Sequence, residues 1–399
     1  MAKAPTPKPK AASKKAALPK AAEAPKPLHP ALIPRPPIPF SRIVGQDRAL
    51  RVLTASAASG RVHHAWVFAG PMGVGKRTAA EAFAALLLDP TSRLRRSGFV
   101  EPDPDSEVQS LLAAGTHPDM HVIVKELAAY SDDPRVRSAK QTTIAKDVLD
   151  THLLGPIARA ASVRSDSLAS KVFIVDEAEL LDRSITNATS QNALLKTLEE
   201  PPPGSVIILV TAQEDRLLPT IRSRCQRVGF SPLDDEAMEQ WLETSGRAVP
   251  RGGRQALWTF AGGSPGRAVL ALDTGLIEWA DALSPLLADA ARGRYRVNFA
   301  PVMATLTESW ATAAVERAEK AGAQASKEAA SQEATRHLVA LLSEWARRRL
   351  RDAADDAPVA ERALRDIDAI ARAERAMHAN VQPVLVLEDL AAGLCATAQ

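Results

Sequence analysis

The stretch "HAWVFAGPMGVGKRTAAEAFAALLL", residues 64–88, constrains the fold more than any other part of the chain. An apolar run at 65–69 leads straight into a glycine turn, and an Ala/Leu-rich segment without breakers follows as helix. A strand–turn–helix of this kind aims backbone N–H groups and a positive helix end at an anion, and G-x-x-x-x-G-K is its phosphate-cradling form. Gly70, Gly73, Gly75 and Lys76 supply that pattern. The next position ordinarily carries Ser or Thr as a Mg²⁺ ligand, and here it is Arg77. Thr78 is a poor substitute, because one helical step turns a side chain by about 100°. At an effective dielectric near 20, unit charges ~4 Å apart interact by about 4 kcal/mol, and a divalent ion doubles that. A guanidinium beside the metal's place therefore works against hydrolysis unless it swings outward.

Further apolar runs at 120–124, 171–175, 205–211 and 226–230 alternate with helical segments. That alternation predicts an α/β fold with a mainly parallel five-stranded sheet, its ligand site at the carboxyl ends of the strands. "KVFIVDEAELLD" places Asp176 and Glu177 at such an end, as a metal-supporting and water-activating pair or as caps of the next helix. In "NALLKTLEEPPP", Leu194, Leu195 and Leu198 share a helical stripe that Pro201, Pro202 and Pro203 stop. "LPTIRSRCQRVGF" sets Arg222 and Arg224 in a loop before the last strand, as a solvated basic loop or as an arginine directed at a neighbour's nucleotide.

The first three dozen residues differ in kind. Their Ala/Lys/Pro composition cannot bury enough apolar surface to order itself, so residues 1–38 read as a disordered tail. No apolar core follows the early charges, which excludes a secretory signal. Residues 1–30 hold seven Lys and one Glu; removing that +6 from the net +3 leaves the rest at −3. Nucleic-acid contact thus needs a local patch, for which Arg347, Arg348 and Arg349 in "RRRLR" are the candidate; a solvated helix face is the plainer reading. Cys225 and Cys395 are the only cysteines, without metal-ligand spacing, and with no apolar run of ~20 residues the expected setting is cytoplasmic, away from membranes.

Taken together, "IVGQDRALRVLTASAASGRVHHAWVFAGPMGVGK", "KVFIVDEAELL", "NALLKTLEEPPPGSVIILVT" and "LPTIRSRCQRV" resemble the clamp-loader AAA+ family of bacterial DNA replication, from about Phe40 to Phe230. The resemblance implies an AAA+ P-loop nucleotide domain at 39–232, a small helical lid at 233–290 and a helical oligomerising collar at 291–399. By the same resemblance Ile43, Val44, Gly45 and Gln46 lie against adenine, and Gly70, Gly73, Gly75 and Lys76, with Arg77 and Thr78, form the phosphate loop. Asp176 supports Mg²⁺, Glu177 activates water, and Thr211 falls near the sensor of the terminal phosphate. Arg224 is implied as the trans-acting arginine finger, and Arg267 of "GGSPGRAVLAL" as the lid's sensor arginine. ATP or ADP and Mg²⁺ are the implied ligands. Some members carry a cysteine-ligated zinc module before "HPD"; the absence of cysteine from residues 89–115 excludes zinc here.

The resemblance further implies partners: other clamp-loader subunits (tau/gamma and delta) and, through the complex, the sliding clamp and primed DNA. With Arg77 in the loop, the expectation is a largely non-hydrolysing stator that lends Arg224 to an adjacent ATPase, with no independent ATPase or polymerase activity. An ATP-hydrolysing motor subunit and a stand-alone DNA-binding AAA+ protein of recombination or repair are the alternatives. In the C-terminal half, helical stripes are expected at Leu338, Leu341, Leu342 and Trp345, and at Leu364, Ile367 and Ala371, with a last helix in 380–394.

Overall fold

The computed structural model describes residues 32–138, 142–163, 166–182, 185–320, 326–353, 356–379 and 381–396. Most of the expected tail, residues 1–31, lies outside the described residues. In chain order the strands are β1 (Ala65–Ala69), β2 (Arg93–Leu94), β3 (Val100–Glu101), β4 (Met120–Ile123), β5 (Lys171–Val175), β6 (Ser205–Thr211) and β7 (Gln226–Gly229). Five of them form one parallel sheet in the order β4-β5-β6-β1-β7, while β2 and β3 pair as a hairpin. Strands β1, β5 and β6 are buried along their whole length, which is why they read as unbroken apolar runs rather than as alternating ones.

Side chains of each strand alternate between two cores. Trp66 and Phe68 join Phe40, Leu50, Leu53 and Phe83 on one face, and Val67 joins Phe173, Leu194, Leu198 and Leu209 on the other. Trp66 and Phe83 meet edge to face with centroids 5.2 Å apart, and truncating Phe83 to Ala would cost about 3–5 kcal/mol.

Between the helix Lys76–Leu88 and β4, a carboxylate organises the chain. Asp89 is buried and accepts hydrogen bonds from Thr91 N (2.9 Å), Thr91 Oγ1 (2.6 Å), Ser106 Oγ (2.5 Å) and Gln109 Nε2 (3.0 Å). Burial pushes its carboxyl up, but these four donors outweigh burial and hold it below its ordinary value. Among the described residues no cluster of three or more metal-ligating side chains occurs.

Beyond residue 232 the chain is helical. Asp234 caps the helix Asp235–Ser245 by accepting from Ala237 N at 2.8 Å, and Gly262 ends the helix Arg254–Ala261 in a left-handed turn. Residues on both sides of the expected 290/291 boundary share one apolar core, from Leu233 through Leu257, Phe299 and Leu338 to Leu394. Leu338, Leu341 and Leu342 are buried as expected, but Leu364 is 51% exposed. The helix Ala357–His378 instead buries Ala363, Asp366, Ala369, Ile370 and Ala373. Alanines, one isoleucine and one aspartate carry the inward face, so a search for large apolar residues misplaces its phase. The last helix runs Pro383–Cys395. No helix among the described residues is long and apolar enough to cross a membrane.

Candidate functional site: a nucleotide pocket and an arginine face

The glycine turn sits at the carboxyl end of β1, between β6 and β7. Gly70 N donates to Thr211 O (3.3 Å), and Phe230 N donates to Ala69 O (2.8 Å). Gly75 adopts φ 100°, which an L side chain resists, and opens the helix Lys76–Leu88. Lys76 is buried and its ammonium donates to the carbonyls of Gly70 (2.7 Å) and Pro71 (2.6 Å). Burial lowers its pKa, with Glu179 and Asp176 opposing.

Arg77 does not swing outward. Its Nε donates to Glu81 Oε1 at 2.9 Å and its Nη1 to Asp176 Oδ2 at 3.2 Å. Burial disfavours the guanidinium's charge, but Glu81 and Asp176 more than offset it. The other oxygen of Asp176 accepts from Glu177 N at 3.0 Å. Glu177 is the one non-glycine with positive φ among the described residues (50°), a conformation costing about 1–3 kcal/mol. Its carboxylate meets Lys125 Nζ at 2.5 Å. Burial pushes the Glu177 carboxyl up, and Lys125 only partly offsets that.

Mg²⁺ requires near-octahedral anionic and hydroxyl oxygens with room for water. Here position 77 offers no hydroxyl, and Asp176 faces a guanidinium. The residues present therefore do not fit a hydrolytic Mg²⁺ site.

The lid closes on the loop directly. Ser264 Oγ donates to Met72 O (2.9 Å) and Gly266 N to Gly73 O (2.8 Å). A Cβ on Gly73 would lie 2.4 Å from Ser264 Oγ, and one on Gly266 would lie 2.8 Å from Gly73 Cα. Arg267, one residue further along, points elsewhere: its guanidinium lies 5.3 Å from the centre of the Phe260 ring. Burial lowers its pKa, with Glu344 of the helix Lys327–Asp352 opposing. Ser264 and Gly266 hydrogen-bond to the loop, while the guanidinium of Arg267 lies over Phe260.

Gly45 packs on the lid entry, where a Cβ would lie 2.6 Å from Leu233 Cγ, and Val44 beside it is half-buried. Gln46 Nε2 donates to Val74 O (3.1 Å) and Ser231 O (2.8 Å), tying the loop to the chain that leaves β7. Thr78 is half-buried on the loop helix. Thr211 is buried at the end of β6, its hydroxyl accepting from Gln213 N at 3.0 Å.

Arg224 stands away from this pocket, just after the helix Pro219–Arg222. Its Nη2 meets Glu199 Oε1 at 2.7 Å and its Nη1 donates to Thr220 O at 2.9 Å. The two side chains are 36% and 51% exposed and line an open cleft of about 520 Å³ together with His63 and His64. Burial pushes the Cys225 thiol up to about 12, although an arginine precedes it. Of the arginines at 347–351, Arg347 is exposed, while Arg348 faces Asp352 (4.0 Å), Arg349 pairs with Asp366, and Arg351 meets Glu344 (2.7 Å).

Sequence reasoning did not single out Lys125, Glu199, Ser264 or Gly266. Lys125 had a signal: Ile123 pairs with Val175 in the parallel register, so the residues two steps further on, Lys125 and Glu177, leave the sheet side by side.

Residues 45–234 match the family model described as DNA polymerase III, delta subunit. The DNA polymerase III subunit delta' of Pseudomonas aeruginosa is 33% identical over 202 residues, covering 51% of this chain and 53% of that protein. Its counterpart in Bacillus subtilis is 31% identical over 197 residues, 49% of this chain and 51% of that one. The gamma/tau subunit of Mycobacterium tuberculosis is 31% identical over 252 residues, 61% of this chain and 38% of the relative. The chain spans about half the length of the delta' relatives it matches.

Proposed function

We propose that the chain, which is similar to clamp-loader AAA+ subunits and most of all to delta', is a largely non-hydrolysing stator of a bacterial clamp loader. It works in the cytoplasm beside tau/gamma and delta subunits. There it offers Arg224 to a neighbouring ATPase while the ring opens the sliding clamp and sets it on primed DNA.

One observation supports the reading: Arg77 donates to Asp176, the carboxylate that the family resemblance assigns to Mg²⁺ support. Within the chain's own pocket Lys76 is satisfied by loop carbonyls, and Glu177 is tied to Lys125. Nothing comparable encloses Arg224, whose guanidinium is open to solvent on one side. A guanidinium fork on a protein surface suits a phosphate of a neighbour and stabilises the charge that develops in phosphoryl transfer.

Purified chain is expected to turn over Mg²⁺-ATP negligibly and to co-purify with tau/gamma and delta subunits. Substantial turnover abolished by Glu177→Gln would move the assignment to the motor subunit. Failure to associate with either partner would move it to a stand-alone DNA-binding AAA+ protein.

A further inference from the structure

We infer that Glu199 is a positioning residue that parks Arg224, so that the finger reaches a neighbour's phosphate only by exchanging one anion for another. This rests on the finger reading of Arg224 given above. Glu199 is the final residue of the helix Thr189–Glu199, and Glu200 caps that helix's C-terminal end. Carboxylates are unfavourable at a C-terminal helix end, where the unpaired carbonyls already carry partial negative charge. Arg224 relieves that crowding from the side: Nη2 on Glu199 Oε1 at 2.7 Å, Nη1 on Thr220 O at 2.9 Å. Two of the guanidinium's five N–H groups are thereby held, and the geometry of carboxylate and phosphate at the fork is the same.

The cleft in front of the pair is open and about 520 Å³ in volume, and Leu198 O at its floor is in turn bound by His64 Nε2 at 3.0 Å. The arginine is thus not waiting free at the surface. A phosphate arriving from the neighbour displaces Glu199, and the end of the helix Thr189–Glu199 then carries two uncompensated carboxylates. Release of Glu199 passes news of a docked nucleotide into a helix whose Leu194 and Leu198 lie in the sheet's core.

A half-exposed pair is weak, so parking lowers the population of free finger by about two- to fivefold. In a reconstituted complex, Glu199→Gln is therefore expected to lower the ATP concentration for half-maximal hydrolysis by the neighbouring motor by about two- to fivefold. Turnover at saturation stays unchanged. Glu199→Asp, which keeps the charge, restores most of the wild-type value, and the difference between wild type and Glu199→Gln shrinks as salt rises. Glu199→Lys shifts the half-saturation point further in the same direction and serves if the glutamine variant assembles poorly. If Arg224→Ala slows the neighbour while Glu199→Gln and Glu199→Lys both keep the wild-type half-saturation point, parking is refuted and the finger stands. If Arg224→Ala has no effect at all, the finger reading itself is lost.

Discussion

Two arginines on one nucleotide domain meet two carboxylates in opposite circumstances. Arg77 and Asp176 lie inside the chain's own pocket, each side chain about a fifth exposed, with Glu81 on the other flank of the guanidinium. Arg224 and Glu199 line an open cleft, their side chains 36% and 51% exposed. Ion pairs that are enclosed on all sides are costly to break, because one partner is left charged and desolvated; open pairs exchange readily with solvent or with another anion. The more enclosed pair therefore resists exchange and the open pair permits it, the contrast on which the proposed stator role rests.

The sharpest way to break this contrast is Arg224→Ala in a reconstituted complex. Loss of a trans arginine is expected to slow hydrolysis at the adjoining motor site by about 10³-fold, read as single-site turnover with primed DNA present. An unchanged rate would leave the open face without a role.

Next in size is a pH signature of enclosure. Burial lifts the Asp366 carboxyl to about 6, against the pull of Arg349 and Arg362. A raised value means that the folded chain holds this proton more tightly than the unfolded chain does. The stabilising contribution is therefore complete below about pH 4 and is lost as pH rises through 6, amounting to as much as about 3 kcal/mol. Urea unfolding of wild type and Asp366→Asn between pH 4 and 6.5 should show the wild type losing ground across that window; parallel profiles would contradict it.

Enclosure of the loop is sharpened by Gly266→Ala. Its methyl group would collide with the backbone of Gly73, so the lid must lift or strain, and unfolding stability should fall by about 1–3 kcal/mol. A thermal or urea melt indistinguishable from wild type would show that the lid is not seated on the loop in solution.

The smallest expected change is a gain. Arg77→Ser restores a hydroxyl and removes a cation, and Mg²⁺-dependent affinity for ATP should rise about tenfold by calorimetry. Wild type binding Mg²⁺-ATP as tightly as the variant would mean that Arg77 never obstructed the metal.

How much of this was legible in the sequence depends on what each feature needs. The parallel strands declared themselves because burial on both faces forces continuous apolar runs, and "KVFIV" and "SVIILVT" admit little else. The proline stop after Glu200 was equally plain, being local chemistry. Contacts between distant segments were not. That Arg77 faces inward depends on Asp176, 99 residues away, and on Glu81 one helical turn along. That Ser264 and Gly266 hydrogen-bond to the loop while the Arg267 guanidinium lies over Phe260 depends on the angle at which the lid arrives, which no spacing rule encodes. In the collar, the inward alanines of the helix Ala357–His378 gave no apolar contrast, so Leu364 was misread as core.

The Asp89 knot has a consequence for the circumstances in which this protein can be made. Thiolate-bound modules fail when a cell is starved of metal or flooded with peroxide, and chelators dismantle them. A carboxylate satisfied by hydroxyl, amide and backbone donors has neither weakness. The hairpin between the loop helix and β4 should keep its shape in EDTA and in oxidant alike.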